Sequence, residues 1–136
     1  MNIRPVFLLL LWLAGILVPL DSVFCQTEET NKLITSALST GNAQALSNHF
    51  NSMVDLSLPG MEDSYGKTQA TRIMKDFFSK NPVKSYKINK SGNSNDGSQF
   101  SIGKMEAGNK TFRLYYLIRK ISNKYLIHQL QIQEEK

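Results

Sequence analysis

Hydrophobic positions after residue 26 fall first at helical and then at strand spacing. Leu33, Ile34, Ala37 and Leu38 line one helical face, so Thr27–Ser39 is predicted as a helix that Gly41 stops. Asn42 is the expected cap of a second short helix, with Ala43, Leu46 and Phe50 as its apolar stripe. Met53–Leu58 alternates, Val54, Leu56 and Leu58 against Asp55 and Ser57, and predicts a half-buried strand closed by Pro59-Gly60. Met61–Gly66 is expected to be a linker. In Thr68–Ser79, Ala70, Ile73, Met74, Phe77 and Phe78 repeat every three to four residues, a strongly amphipathic helix that Asn81-Pro82 ends.

Beyond Lys84 the period becomes two. Tyr86 and Ile88 mark one strand, Ser91–Gly97 a hairpin loop, and Phe100 and Ile102 a second strand. Ala107-Gly108-Asn109 turns the chain into a long strand, Lys110–Ile121, with Phe112, Leu114, Tyr116 and Ile118 on one face. After Ser122-Asn123 comes a last strand, Lys124–Gln133, for which alternation puts Leu126, His128, Leu130 and Ile132 together. The expectation is an α+β domain: three amphipathic helices covering the apolar face of a meander.

The first 25 residues have a different grammar. Arg4 is the one early charge, Val6–Leu20 is almost wholly apolar, and Asp21–Cys25 is a short exit, the three parts of a secretory signal peptide. An apolar run of about 15 residues is short for a bilayer span of about 20, so no membrane-spanning segment is expected once the signal is cut. The predicted division is a signal peptide over 1–25 and a single domain over 26–136. Cleavage before Gln26 and lipidation of Cys25 both stay open, although Phe24 and Ser22 suit lipidation poorly. Cys25 is the only cysteine, so cleavage after it removes disulfides, thiolate metal sites and thiol catalysis from consideration.

Arg4 and Asp21 cancel, so the net charge of +5 belongs to the rest of the chain. The basic residues are dispersed, from Lys67 and Arg72 to Lys87 and Lys90, which suits a solvated surface or an anionic partner better than nucleic acid.

The element order resembles the nuclear-transport-factor-2-like (SnoaL-like, cystatin-like) cone, as does Ser39-Thr40-Gly41-Asn42-Ala43-Gln44-Ala45-Leu46 followed by Phe50. More narrowly, Ser64-Tyr65-Gly66-Lys67-Thr68-Gln69-Ala70 leading into Lys75-Asp76-Phe77-Phe78, then Phe100-Ser101-Ile102-Gly103 and Phe112-Arg113-Leu114-Tyr115-Tyr116, are similar to a family of short exported proteins of the Bacteroidota, known as a domain of unknown function. The resemblance covers about residues 30–134. It implies a cone of three N-terminal helices packed on a curved, mainly antiparallel sheet of about five strands, and it implies no activity. The glutamine-valine-glycine hairpin of cystatin inhibitors is not found.

Candidate chemistry is sparse. His128, if it lines the cone, is either a general base or a core histidine bonded to its surroundings. Asp55, with Tyr65 or Tyr116 as hydrogen-bond donor, would complete an isomerase-like set, but the parity of its strand sets Asp55 against the face of His128. Phe112, Leu114, Tyr116 and His128 are the expected lining of any cone pocket. His49 has the look of a surface residue, and no metal-ligand spacing is visible. Tyr65-Gly66-Lys67 at a helix start suits either an anion or a turn seating Tyr65. Asn89-Lys90-Ser91 and Asn109-Lys110-Thr111 fit the glycosylation pattern, which counts only in a eukaryotic secretory pathway. Arg113, Tyr115, Leu117 and Arg119 form the other face of the long strand, which is either an interface or helix-covered core.

The function expected is an exported, periplasmic or secreted, non-catalytic binding or interaction module without a cofactor. It could pair as a homodimer through the sheet face or take a small apolar or anionic ligand. The alternative is an isomerase- or hydrolase-like enzyme using a cone-lining histidine.

Overall fold

The computed structural model describes residues 21–136; the charged and apolar parts of the predicted signal peptide lie outside them. Helix α1 (Asp21–Thr40) and helix α2 (Ala43–Ser47) meet at a two-residue joint. Gly41 takes φ +63°, its N–H bonds the Leu38 carbonyl, and the Asn42 N–H bonds that of Ala37 at 2.9 Å. This is the left-handed glycine closure that satisfies the last carbonyls of a helix. The Asn42 side chain then accepts the Ala45 N–H at 3.0 Å and caps α2. Helix α2 has only five residues, so Phe50, expected on its stripe, instead opens strand β1 (Phe50–Leu58).

Pro59-Gly60, with Gly60 at φ +84°, turns β1 back into β2 (Met61–Gly66). The sheet therefore has six strands rather than about five. Met61–Gly66 lacks an apolar alternation because it is an edge strand, held by its backbone to β1 and largely exposed. Helix α3 (Lys67–Lys80) buries Ala70, Met74, Phe77 and Phe78, and ends where the Asn81 backbone and side chain both donate to the Phe77 carbonyl. Strands β3 (Val83–Asn93), β4 (Gln99–Ala107), β5 (Lys110–Ile121) and β6 (Lys124–Glu135) form the expected antiparallel meander. Strand β3 runs on through Ser91–Asn93, the start of the segment expected to be loop, leaving Ser94–Ser98 as the turn.

The strand order is β2-β1-β6-β5-β4-β3, and β1 beside β6 is its one parallel pair. The helices pack on one face, over Leu56, Met105, Phe112, Leu114, Tyr116, Ile118 and Leu130, all buried. Full burial of a side chain as large as Phe112 stabilises by about 2–3 kcal/mol. These side chains fill the middle of the cone, and Phe77, set edge-on to Phe112 at a centroid distance of 5.3 Å, lines with it a cavity of about 250 Å³.

Gly103 on β4 makes room for a neighbour. A Cβ there would lie 2.6 Å from both the Tyr86 Oη and the Lys87 carbonyl oxygen. Tyr86 is buried and cannot retreat without opening the core. Gly103→Ala is therefore expected to destabilise by about 1–3 kcal/mol, read as a lower urea midpoint with an unchanged slope.

Candidate functional site

Strand β6 decides where the candidate histidine goes. Leu117 pairs with Gln129 and Ile118 with Ile127, so His128 is an extra residue with no opposite number on β5. Such a bulge shifts the alternation by one. Tyr125 and Ile127 point inward before it, and Leu130 and Ile132 after it. The expected face of Leu126, His128, Leu130 and Ile132 is thus split: the last two are core, while Leu126 and His128 lie half-buried on the outer side. His128 does not line the cone.

Asp55 is also on the outer face, beside Gln129, where its Oδ1 accepts a hydrogen bond from Ser64 Oγ. Asp55 and His128 therefore share a face, contrary to the simple parity expectation, and it is not the face of the cone interior. Tyr65 lies opposite Val54 on the inner side, half-buried against the core. Tyr116 is fully buried, and its Oη donates to Asn31 Oδ1 at 2.9 Å. The structure thus divides the four candidate catalytic residues, two outside and two inside, and assembles no acid-base pair with an oxyanion donor around one cavity. Phe112, Leu114 and Tyr116 do point inward, as packed core. Tyr86, near Tyr116, has its Oη buried without a protein hydrogen bond. Burial first, and then the neighbouring Tyr116, push its ionisation far up.

Burial lowers the His128 pKa below its ordinary 6.5; Arg119 adds to the drop and Asp55 opposes it. His49, half-buried between α2 and β1, is lowered by burial and by Lys67. Its carbonyl accepts the Ile127 N–H at 2.6 Å, so its backbone fastens β1 to β6. No group of three metal-binding side chains occurs among the described residues. No described helix is long and apolar enough to cross a membrane.

The outer face is where the remaining chemistry gathers. No described helix covers it: Arg113, Tyr115, Leu117 and Arg119 all lie there, Tyr115 and Leu117 half-buried and both arginines exposed. The β4 side adds Phe100 and Ile102. The Phe100 ring stacks on Tyr115 at 6.4 Å and lies over Gly92, where a Cβ would meet it at 2.8 Å. On the β2–β1–β6 side is a polar cleft of about 330 Å³ whose carboxylates are Asp55, Glu62 and Asp63. Arg119 reaches Asp96 at 3.6 Å, and Ser98 donates to that carboxylate from both its N–H and its Oγ. These Ser98 hydrogen bonds, with Arg119, hold Asp96 below the usual carboxylate range.

Residues 31–133 match the model of a family described as a domain of unknown function, DUF4783. The chain belongs to the DUF4783 family. A DUF4783 protein of Bacteroides ovatus is 34% identical, with a TM-score of 0.72 over 76% of this chain and 94% of that one. One from Bacteroides uniformis is 33% identical, at 0.73 over 77% and 96%. An NTF2-like protein of unknown function from Cytophaga hutchinsonii is 17% identical, at 0.57 over 80% and 89%, and shares the fold. No curated protein matches the chain. The DUF4783 domain is thus an α+β NTF2-like fold with three described helices on a six-stranded, mostly antiparallel sheet. The stretches in which the sequence resembles its family do structural work: Phe77 meets Phe112, Gly103 seats Tyr86, and Phe100 covers Gly92.

Both histidines titrate below 6.5 in the folded DUF4783 domain. Between the depressed value and 6.5 the unfolded chain binds more protons. Their contribution to stability is therefore complete above that range and is lost as pH falls through it. The denaturation midpoint should drop between pH 7.5 and pH 5.5, and His49→Gln with His128→Gln should flatten that drop.

Proposed function

We propose that this DUF4783 protein is an exported, non-catalytic interaction module of the cell envelope. Its working surface is the outer face of the sheet and its first partner is a second copy of itself. The observation that carries this proposal is the cluster of Phe100, Ile102, Tyr115 and Leu117. These are half-buried, with Phe100 stacked on Tyr115, and flanked by Arg113 and Arg119 on a face that no described helix covers. Interface cores enrich aromatic residues and arginine in this way. The enzyme alternative relied on a histidine inside the cone, and His128 stands outside it. Export is supported by the leader-like residues 1–25.

Sedimentation velocity tests the surface. The wild-type chain from Gln26 onward should be dimeric at tens of micromolar, and Leu117→Glu or Tyr115→Glu should make it monomeric with its circular dichroism unchanged. A wild-type monomer at those concentrations overturns the proposal. Intact mass of the native protein from the envelope fraction tests export, with a terminus at Gln26 or a lipid on Cys25 expected and an unprocessed chain opposing it.

A further inference from the structure

Helix α3 and the sheet do not close on each other everywhere. Between the C-terminal half of α3 and the end of the sheet where β1 turns into β2 lies the cavity of about 250 Å³ beside Phe77 and Phe112. It is on the helix side of the sheet, away from the outer face. Its floor is apolar: Leu58, Phe77 and Phe112 are buried, and the two rings meet edge-on. Ile73 and Met61 form its sides; Ile73 is half-buried and Met61 is 38% exposed.

The charged lining is balanced. Among the described residues it consists of two ammonium groups and two carboxylates. Lys80 pairs with Asp76 at 3.0 Å on the helix wall, and Lys110 with Glu134 at 3.5 Å on the sheet wall. All four side chains are exposed, so they stand at the mouth and the apolar groups at the bottom. Ion pairs this exposed hold their partners weakly, and a ligand can exchange with them at little cost. A lone anion or a lone cation arriving here meets two like charges. A group carrying both signs finds an opposite charge for each end, and complementarity of that kind sets specificity.

Size narrows the choice. An apolar cavity of about 150 Å³ takes one benzene ring, and pockets for drug-sized ligands begin at about 300 Å³. The space here therefore suits a single ring or branched chain with a few adjoining carbons. Edge-on phenyl rings accept a further aromatic neighbour, and the Met61 thioether packs well against such a ring. We infer that this cavity binds a free amino acid with an aromatic or large branched side chain. The side chain enters among Phe77, Phe112 and Met61, and the α-ammonium and α-carboxylate pair with the charges of the mouth. The site lies on the opposite face from the proposed self-association and does not depend on it.

Three ligands with one aromatic side chain test the site: L-phenylalanine with both charges, phenylalaninamide with only the ammonium, and N-acetylphenylalanine with only the carboxylate. The measurement is an amide NMR titration of the nitrogen-15-labelled protein at about pH 6, where the α-amines stay protonated. Phenylalanine should shift the amides of Met61, Ile73, Phe77 and Lys80 with a Kd of about 1 mM, ordinary for about a dozen heavy atoms. Each single-charge ligand should bind about two- to fivefold more weakly, the worth of one exposed ion pair. Ile73→Trp, which fills the cavity from its half-buried side, should abolish the shifts and leave the rest of the amide spectrum in place. Lys80→Gln combined with Lys110→Gln leaves only carboxylates at the mouth and should make phenylalaninamide the tighter ligand. No shift at these amides with any of the three, at about tenfold the expected Kd, overturns the site, as do shifts that persist in Ile73→Trp. Equal affinities would mark an unselective apolar hollow, and a preference of the wild-type protein for either single-charge ligand would mark a terminal residue of a peptide; both overturn recognition of a free amino acid.

Discussion

Strand β6 is hydrogen-bonded along both edges, to β5 and to β1, and it carries one residue more than β5 opposite Leu117 and Ile118. A central strand cannot shift its register without moving every side chain to the other face. The extra residue absorbs the mismatch locally. It lets Tyr125 and Ile127 bury in one half of the strand while Leu130 and Ile132 bury in the other. The distribution of polar and apolar groups over the two faces follows. The inner face becomes a continuous core under the helices, and the outer face receives His128 together with Gln129 and Gln131.

A filled cone has consequences for function. Leu114 and Tyr116 fill the middle of the cone with Met74 and Met105, and the space beside Phe77 and Phe112 is a cavity of only about 250 Å³. In the proposed interaction, recognition falls to the outer side of the sheet, where an aromatic cluster and an acidic cleft share one face. The same six strands that close the core thus present the surface on which the proposed interaction depends.

Much of this architecture was legible in the sequence. Helix α3 declared itself because its burial is one-sided and Asn81-Pro82 closes it locally. The meander followed from turn chemistry at Gly108-Asn109 and Ser122-Asn123, where both Ser122 and Asn123 adopt positive φ. Strand β2 stayed hidden because an edge strand held by backbone bonds needs no apolar alternation. The site was less legible than the fold. Alternation is a sound guide until a bulge interrupts it, and no composition signal marks His128 as the residue where the count slips. The uncovered outer face was one of two readings of Arg113, Tyr115, Leu117 and Arg119, because sequence alone does not say which side of a sheet its helices choose.

The borders of the sheet bear on how the molecule avoids its neighbours. Strand β3 leaves eleven residues of backbone with one unpaired side, a template on which a foreign strand could grow. It carries Lys84, Lys87 and Lys90, and its pairing is irregular between Ile88 and Lys90. The opposite border, β2, is six residues long and bears Glu62 and Asp63. Charge at both borders, irregularity at one and brevity at the other blunt fibril-like growth by strand addition. With no cysteine after residue 25, no disulfide closes these borders, and their charge, irregularity and brevity are the devices that oppose polymerisation through the backbone.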